Sequence, residues 1–396
     1  MLTVPKGFRL AGVHAGIKRN AEKLDLTLVV SDRPATASGV YTQNLVFAAP
    51  VKLDRSRTPS EHVRAVVINS GNANACTGPR GDRDAERMAE LAAAACGARA
   101  EQALVLSTGM IGEFLPMEKV EAGIAAAAQK LADDEAALVS AAQGMMTTDT
   151  RHKLVGRRLR LSRGEVQLTG MAKGAAMIGP RMATMLGLIL TDVAIAPAQA
   201  QEALTAAVDD SFNCISVDGH MSTNDTVLLV ANGAAGLPPL AGADLDLFRV
   251  ALGEVCGELA RAIAADGEGA THLVVIDVRG CATRQAAHRI AKTIAESPLV
   301  KTAVAGADPN WGRIVSAAGY SGVPFDPAGV SLQVNGFTLY EAGAPAACDP
   351  KAVSQSIRQQ YETHVVLQFR EGTAAVRFWT TDLTTEYVRL NADYHT

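Results

Sequence analysis

Large rings are scarce in this chain: 9 phenylalanines, 6 tyrosines and 2 tryptophans among 396 residues. So few aromatics argue against a base-stacking surface and against a core built on big side chains. An excess of one charge is missing too. Lys plus Arg number 37 and Asp plus Glu 41, a formal charge of −4 that excludes a nucleic-acid binder working by bulk positive charge. The 6 cysteines, at 76, 96, 214, 256, 281 and 348, form no Cys-x-x-Cys. Neither a zinc framework nor a disulfide scaffold is expected from that spacing; buried free thiols in a reducing compartment are. No His-x-x-x-His, Gly-x-Ser-x-Gly or Walker loop occurs, so the usual metal, serine-hydrolase and phosphate-loop signatures give no lead. Apolar runs stop short of membrane length. The most apolar, Met185 to Leu190, is broken by Gly187 and ends at Thr191-Asp192, which reads as a core strand. The N-terminal segment shows no secretory or transit pattern, and a cytoplasmic protein is expected.

What is present is the composition of a folded chain: 48% hydrophobic, 20% charged and 35 glycines. Strands are expected at Leu26–Val30, Ala65–Ile68 and Leu104–Leu106. Helices are expected at Asp84–Cys96, from Pro116 to Leu131, from Pro197 to about Val208, and at Leu245–Ala264 and Ala282–Glu296. The tail, with Val365–Phe369, Ala374–Trp379 and Tyr387–Leu390, reads as a meander of strands. Helices and strands mix without regular βαβ alternation, so a layered α+β architecture is expected over a doubly wound sheet.

Polar turns follow the apolar strands. The first runs from Ile68 to Gly78 and includes Asn69-Ser70-Gly71-Asn72-Ala73-Asn74, and the second runs from Leu106 to Gly112 and includes Ser107-Thr108-Gly109-Met110. A threonine hydroxyl beside a glycine amide can supply two donors to one oxygen, as an oxyanion hole requires, although on pattern alone a plain turn is the better reading. A third stretch, Met171 to Leu186, holds few polar side chains besides Lys173, Arg181 and Thr184.

Taken with Phe212–Gly219, Ser222–Thr226, Asp266–Thr271, Gly306–Arg313 and Asn391–Tyr394, these segments closely resemble the ornithine acetyltransferase (glutamate N-acetyltransferase) family of arginine biosynthesis. The resemblance covers essentially the whole chain. It implies an αββα layered sandwich of the kind found in self-processing aminopeptidases. It also implies self-cleavage of the Ala183–Thr184 bond, giving an alpha chain of 1–183 and a beta chain of 184–396. Thr184 would then be the nucleophile. Its freed α-amine, with an ordinary pKa of about 7.7–8.0, suits the role of base. The resemblance places Thr108 and Gly109 in the oxyanion hole. It carries Thr147, Lys173, Thr184, Glu268, Asn391 and Thr396 into substrate binding, with Lys173 for the α-carboxylate and Glu268 for the ornithine ammonium. No metal and no cofactor are implied. The substrates implied are N-acetylornithine and glutamate, and acetyl-CoA as a further donor stays open. The implied assembly is a heterotetramer of two alpha and two beta chains, with no nucleic acid and no membrane.

Two positions depart from the family pattern near the cut: Ala176 stands where glycine is usual and Arg181 where asparagine is usual. Alanine forbids most positive φ angles, and arginine sets a bulky cation three residues before Thr184. Two rival readings stand beside this one: a self-processing peptidase or amidase of the same superfamily that uses water as acceptor, and, given Ala176 and Arg181, a binding protein that keeps the amino-acid pocket and never cuts.

Overall fold

The computed structural model describes residues 2–179 and 185–393. In chain order the first elements are β1 (Phe8–Val13), β2 (Leu26–Tyr41), α1 (Ala49–Arg57), β3 (Ser60–Asn72), α2 (Gly78–Ala94), β4 (Ala103–Met110), α3 (Met117–Ala128), α4 (Glu135–Met145), β5 (Lys153–Leu161) and β6 (Gly164–Lys173). They continue with β7 (Leu186–Thr191), α5 (Pro197–Asp209), β8 (Ile215–Ser216), β9 (Thr226–Ala231), α6 (Gly242–Ala264), β10 (Leu273–Cys281), α7 (Arg284–Ala295), α8 (Pro298–Ala305) and α9 (Trp311–Gly319). The last are β11 (Ser331–Val334), β12 (Phe337–Glu341), β13 (Ala344–Pro345), α10 (Pro350–Gln359), β14 (Glu362–Gln368), β15 (Ala374–Thr381) and α11 (Thr385–Asp393). The class is the layered α+β expected from the sequence. Among the described residues no helix is long and apolar enough to cross a membrane.

The chain forms two compact units. The first runs to Gly174, resumes through Ser211 and takes Met221–Leu259. Its sheet has the order β4-β3-β2-β9-β7-β6-β5, with β1 also on β2. Strand β2 is bulged after Val30: Leu26–Ser31 pairs with β1 and Thr36–Tyr41 with β9, while β3 follows it as far as Ala37. Both faces are covered. Leu26, Leu28, Val67 and Val105 pack on Met88 and Ala92 of α2 and Ile124 of α3, while Val29, Ile68 and Leu106 pack with Leu138 and Met145 of α4. Burial on both sides is why these strands read as continuous apolar runs instead of alternating ones.

The second unit takes Phe212–His220, the chain from Ala260 and a short insertion that begins at Ala175. Its sheet order is β13-β12-β11-β14-β10-β15-β8. One face carries Val274, Ile276, Leu367 and Phe378 against Ile290 and Ile294 of α7 and Ile357 of α10. On other strand positions Asp277 takes two hydrogen bonds from Arg377, at 2.7 and 2.8 Å, with Arg279 and His364 beside them.

Three expectations need correcting. The tail is not a meander, because β10 lies between β14 and β15, parallel to one and antiparallel to the other. Tyr387–Leu390 is helical, inside α11: the Thr384 hydroxyl accepts from Tyr387 N at 3.2 Å, and Arg389 pairs with Glu386 one turn back. Of the cysteines, 214, 256 and 281 are buried, but 76 and 348 are exposed. Smaller differences sit at helix ends. Helix α2 starts at Gly78, six residues before Asp84, because Pro79 supplies a first turn, and α3 stops at Ala128.

Candidate active site

The two glycine turns read separately in the sequence are neighbours in space. Strands β3 and β4 run parallel to their ends, with Ser70 opposite Thr108 and Gly71 opposite Gly109, and then β3 shifts register at Asn72. Gly71 has φ +108° and Gly109 φ +136°, conformations that side chains disfavour. A Cβ on Gly109 would stand 2.2 Å from Gly71 C and 2.4 Å from Asn72 N. The glycine at 109 is therefore a requirement of backbone approach. Thr108 beside it is buried while Gly109 is exposed.

Buried amides lock this strand end. Asn69 donates to Asn72 O at 2.8 Å and accepts from Ser107 Oγ at 2.6 Å. Asn224 donates to Ala73 O at 2.7 Å and to Ser107 O at 2.8 Å. Satisfied amides in a dry setting hold one geometry, because every alternative leaves a donor unpaired. The sequence reading gave Asn224 no role; its signal was a polar run directly before the apolar strand β9.

A cluster of cations lies in the same unit. Lys173 ends β6, is 1% exposed, and places Nζ 3.4 Å from Thr147 Oγ1. Between their two segments sits Asp149. Its Oδ1 accepts from Lys153 Nζ at 2.6 Å and Gly174 N at 2.7 Å, and its Oδ2 accepts from Thr147 N at 3.0 Å. Burial alone would raise the Asp149 carboxyl, but the ammonium groups of Lys153 and Lys173 and the Gly174 amide bring it below the usual range. Lys18, also absent from the sequence reading, donates to Leu24 O and Met146 O, each at 2.6 Å. Its burial lowers it to about 8. Ser70 Oγ donates to Gly144 O at 2.7 Å, tying the β3 turn to the end of α4 just before Thr147. The arrangement offers a buried positive group, which is what a carboxylate ligand needs.

Ala183 and Thr184 lie outside the described residues, as does Thr396. Met185 is the first described residue after the gap. Its N–H donates to Asp225 Oδ1 at 3.1 Å, and its carbonyl accepts from Thr226 N at 3.2 Å, where β7 joins β9 in parallel. Asp225 is fully buried, and burial drives its carboxyl well above the ordinary range.

In the second unit the structure brings Glu268 and Asn391 together, with Asn391 Nδ2 donating to Glu268 Oε2 at 3.2 Å. Glu268 N is held by Ala175 O at 2.9 Å. Gly269 (φ +65°) lets α11 approach, since a Cβ there would stand 2.5 Å from Tyr387 N. Asp218 accepts from Met177 N at 2.7 Å and Ile178 N at 2.9 Å, and so anchors the inserted segment.

Comparison with known proteins places this arrangement. The model of the ArgJ family matches residues 9–396. The arginine biosynthesis bifunctional protein ArgJ of Rhodopirellula baltica is 46% identical over 396 residues, 99% of this chain and 96% of that protein. Its namesake from Symbiobacterium thermophilum is 48% identical over 398 residues, covering 100% and 98%. A crystal structure of the Bacillus halodurans protein of that name is similar with a TM-score of 0.51 and 36% identity, over 52% of this chain and 98% of that one.

Proposed function

This chain belongs to the ArgJ family, and from that premise we propose that it moves an acetyl group from N-acetylornithine to glutamate through an acetyl-threonine intermediate. It is an acyltransferase of arginine biosynthesis. In the proposed sequence the Ala183–Thr184 bond breaks first, and the amine set free on Thr184 becomes the base. The amine takes the hydroxyl proton as the Thr184 oxygen attacks the acetyl carbonyl. The Thr108 hydroxyl and the Gly109 amide hold the oxyanion. The amide C–N bond breaks, the amine returns its proton to the leaving ornithine nitrogen, and an ester is left on Thr184. The glutamate amine then attacks that ester, leaves as N-acetylglutamate, and restores the threonine proton. One amide is exchanged for another, so the reaction needs neither ATP nor a metal.

Recognition follows charge. Lys173, with Thr147 beside it, takes the α-carboxylate common to both substrates. Glu268, with Asn391 against it, takes the ornithine ammonium; Thr396 is assigned to the same pocket. The working form proposed is cytoplasmic and a tetramer of two alpha and two beta chains. The relatives' word "bifunctional" makes acetyl-CoA the second donor to assay.

The observation that carries this reading is the contact of the Ser70–Asn72 and Thr108–Met110 turns, which sets a buried threonine and a glycine amide at one strand end. The test is intact mass measurement after adding N-acetylornithine without glutamate. The fragment that begins at Thr184 should gain one acetyl group, and glutamate should remove it. A protein that gains no acetyl group overturns the reading. Steady release of free acetate makes it a hydrolase.

A further inference from the structure

We propose that Asp149 is a positioning residue of the substrate pocket, setting Thr147 and Lys173 for the α-carboxylate; this rests on the carboxylate role given to Lys173 above. The residue touches no substrate in that scheme. It acts through the backbone of both segments that do. One carboxylate oxygen holds the N–H of Thr147 itself, and the other holds the N–H of Gly174, directly after Lys173. Thr147 follows the end of α4 and Lys173 ends β6, and Asp149 is the shared acceptor that joins the backbone amides at these two points. The contacts lie at 3.0 and 2.7 Å, and the Asp149 side chain is fully buried.

An ion pair holds the Asp149 carboxylate itself in place. Lys153 is committed to Asp149 at 2.6 Å, with both side chains at 1% exposure or less. Without Asp149 two buried ammonium groups would repel, and the loop carrying Thr147 would lose its anchor.

The test compares two donors, N-acetylornithine and N-acetyl-1,4-diaminobutane, which is the same molecule without its carboxylate. The readout is the ratio of their kcat/KM values. Asp149→Asn should cut this ratio by about tenfold to a hundredfold, the range of a charge-assisted contact. The loss should appear mainly as a raised KM for N-acetylornithine. Lys153→Met breaks the same ion pair and strains the fold comparably, yet leaves both amide contacts, so it should keep the ratio within about threefold of the original. If Asp149→Asn does not fold, the double variant Asp149→Asn/Lys153→Met, which removes both buried charges together, carries the same readout and the same expected loss. Asp149→Asn, or the double variant in its place, with an unchanged ratio overturns the proposal, and so does an equal loss in Lys153→Met. An unaltered protein that uses both donors equally refutes instead the carboxylate role of Lys173.

Discussion

At the scale of single residues, Thr108 and Gly109 show what a sequence can and cannot carry. The Thr-Gly pair after an apolar strand is visible in the letters. The reason it must be glycine is not, because that reason is Gly71, some forty positions away, whose backbone a Cβ would strike. Gly109→Ala should therefore cost stability as well as activity, seen as a lower thermal midpoint together with lost turnover. Thr108→Val keeps the β-branched shape and removes only the hydroxyl. It should lower kcat by about a hundredfold to a thousandfold, the typical loss for one oxyanion donor, with KM little moved. Steady-state kinetics on the cut enzyme decide this, and an unchanged kcat would remove Thr108 from the chemistry. Asp149, Asn224 and Asp225 carry no role in the sequence reading for a related reason. Polar letters in a loop look solvated until the fold buries them against amides of distant strands.

At the scale of elements, apolar runs located the central strands correctly because helices cover both faces of the first sheet. Where no residue is buried the letters misled. Tyr387-Val388-Arg389-Leu390 looks like a strand by β-propensity, yet Glu386 to Arg389 and Arg389 to Asp393 are helical spacings, and Thr384 caps the start. The second sheet offers a pH test of its own packing. Burial would raise the Asp277 carboxyl, but hydrogen bonds and charge from Arg377 and Arg279, with His364, hold it well below the ordinary range. A carboxyl depressed on folding adds stability above its unfolded pKa of about 3.9, and that stability disappears as pH falls towards the folded value. Asp277→Asn should thus lower the thermal midpoint by several degrees at pH 7. The gap from the unaltered protein should narrow as the pH is taken down through about 4 to 3. A gap that stays constant over that range would mean that the ion cluster does not stabilise the sheet.

At the scale of the whole molecule, strand order is the property that no local pattern discloses, and it constrains what the proposed self-cleavage can do. In the first sheet β2 is followed by β9, β7 and then β6. Strands β2 and β6 precede residue 174, whereas β7 and β9 follow residue 185. Any cut between those points leaves two strands of the later piece inserted between strands of the earlier one. Each seam is a full ladder: Thr36–Tyr41 of β2 against β9, and Leu168–Lys173 of β6 against β7. Separation would expose Leu186, Leu188, Leu190, Leu228 and Val230, all buried now, and would unpair both ladders. The cost is that of unfolding the sheet, so cleavage should change the covalent chain and leave the sheet intact. Purified protein should give two bands on a denaturing gel, with fragments ending near 183 and starting at 184. The two should elute together in equal amounts from a sizing column in buffer, and part only in denaturant at the concentration where the sheet's circular dichroism is lost. Fragments that separate in plain buffer would show that the interleaved order does not hold in solution.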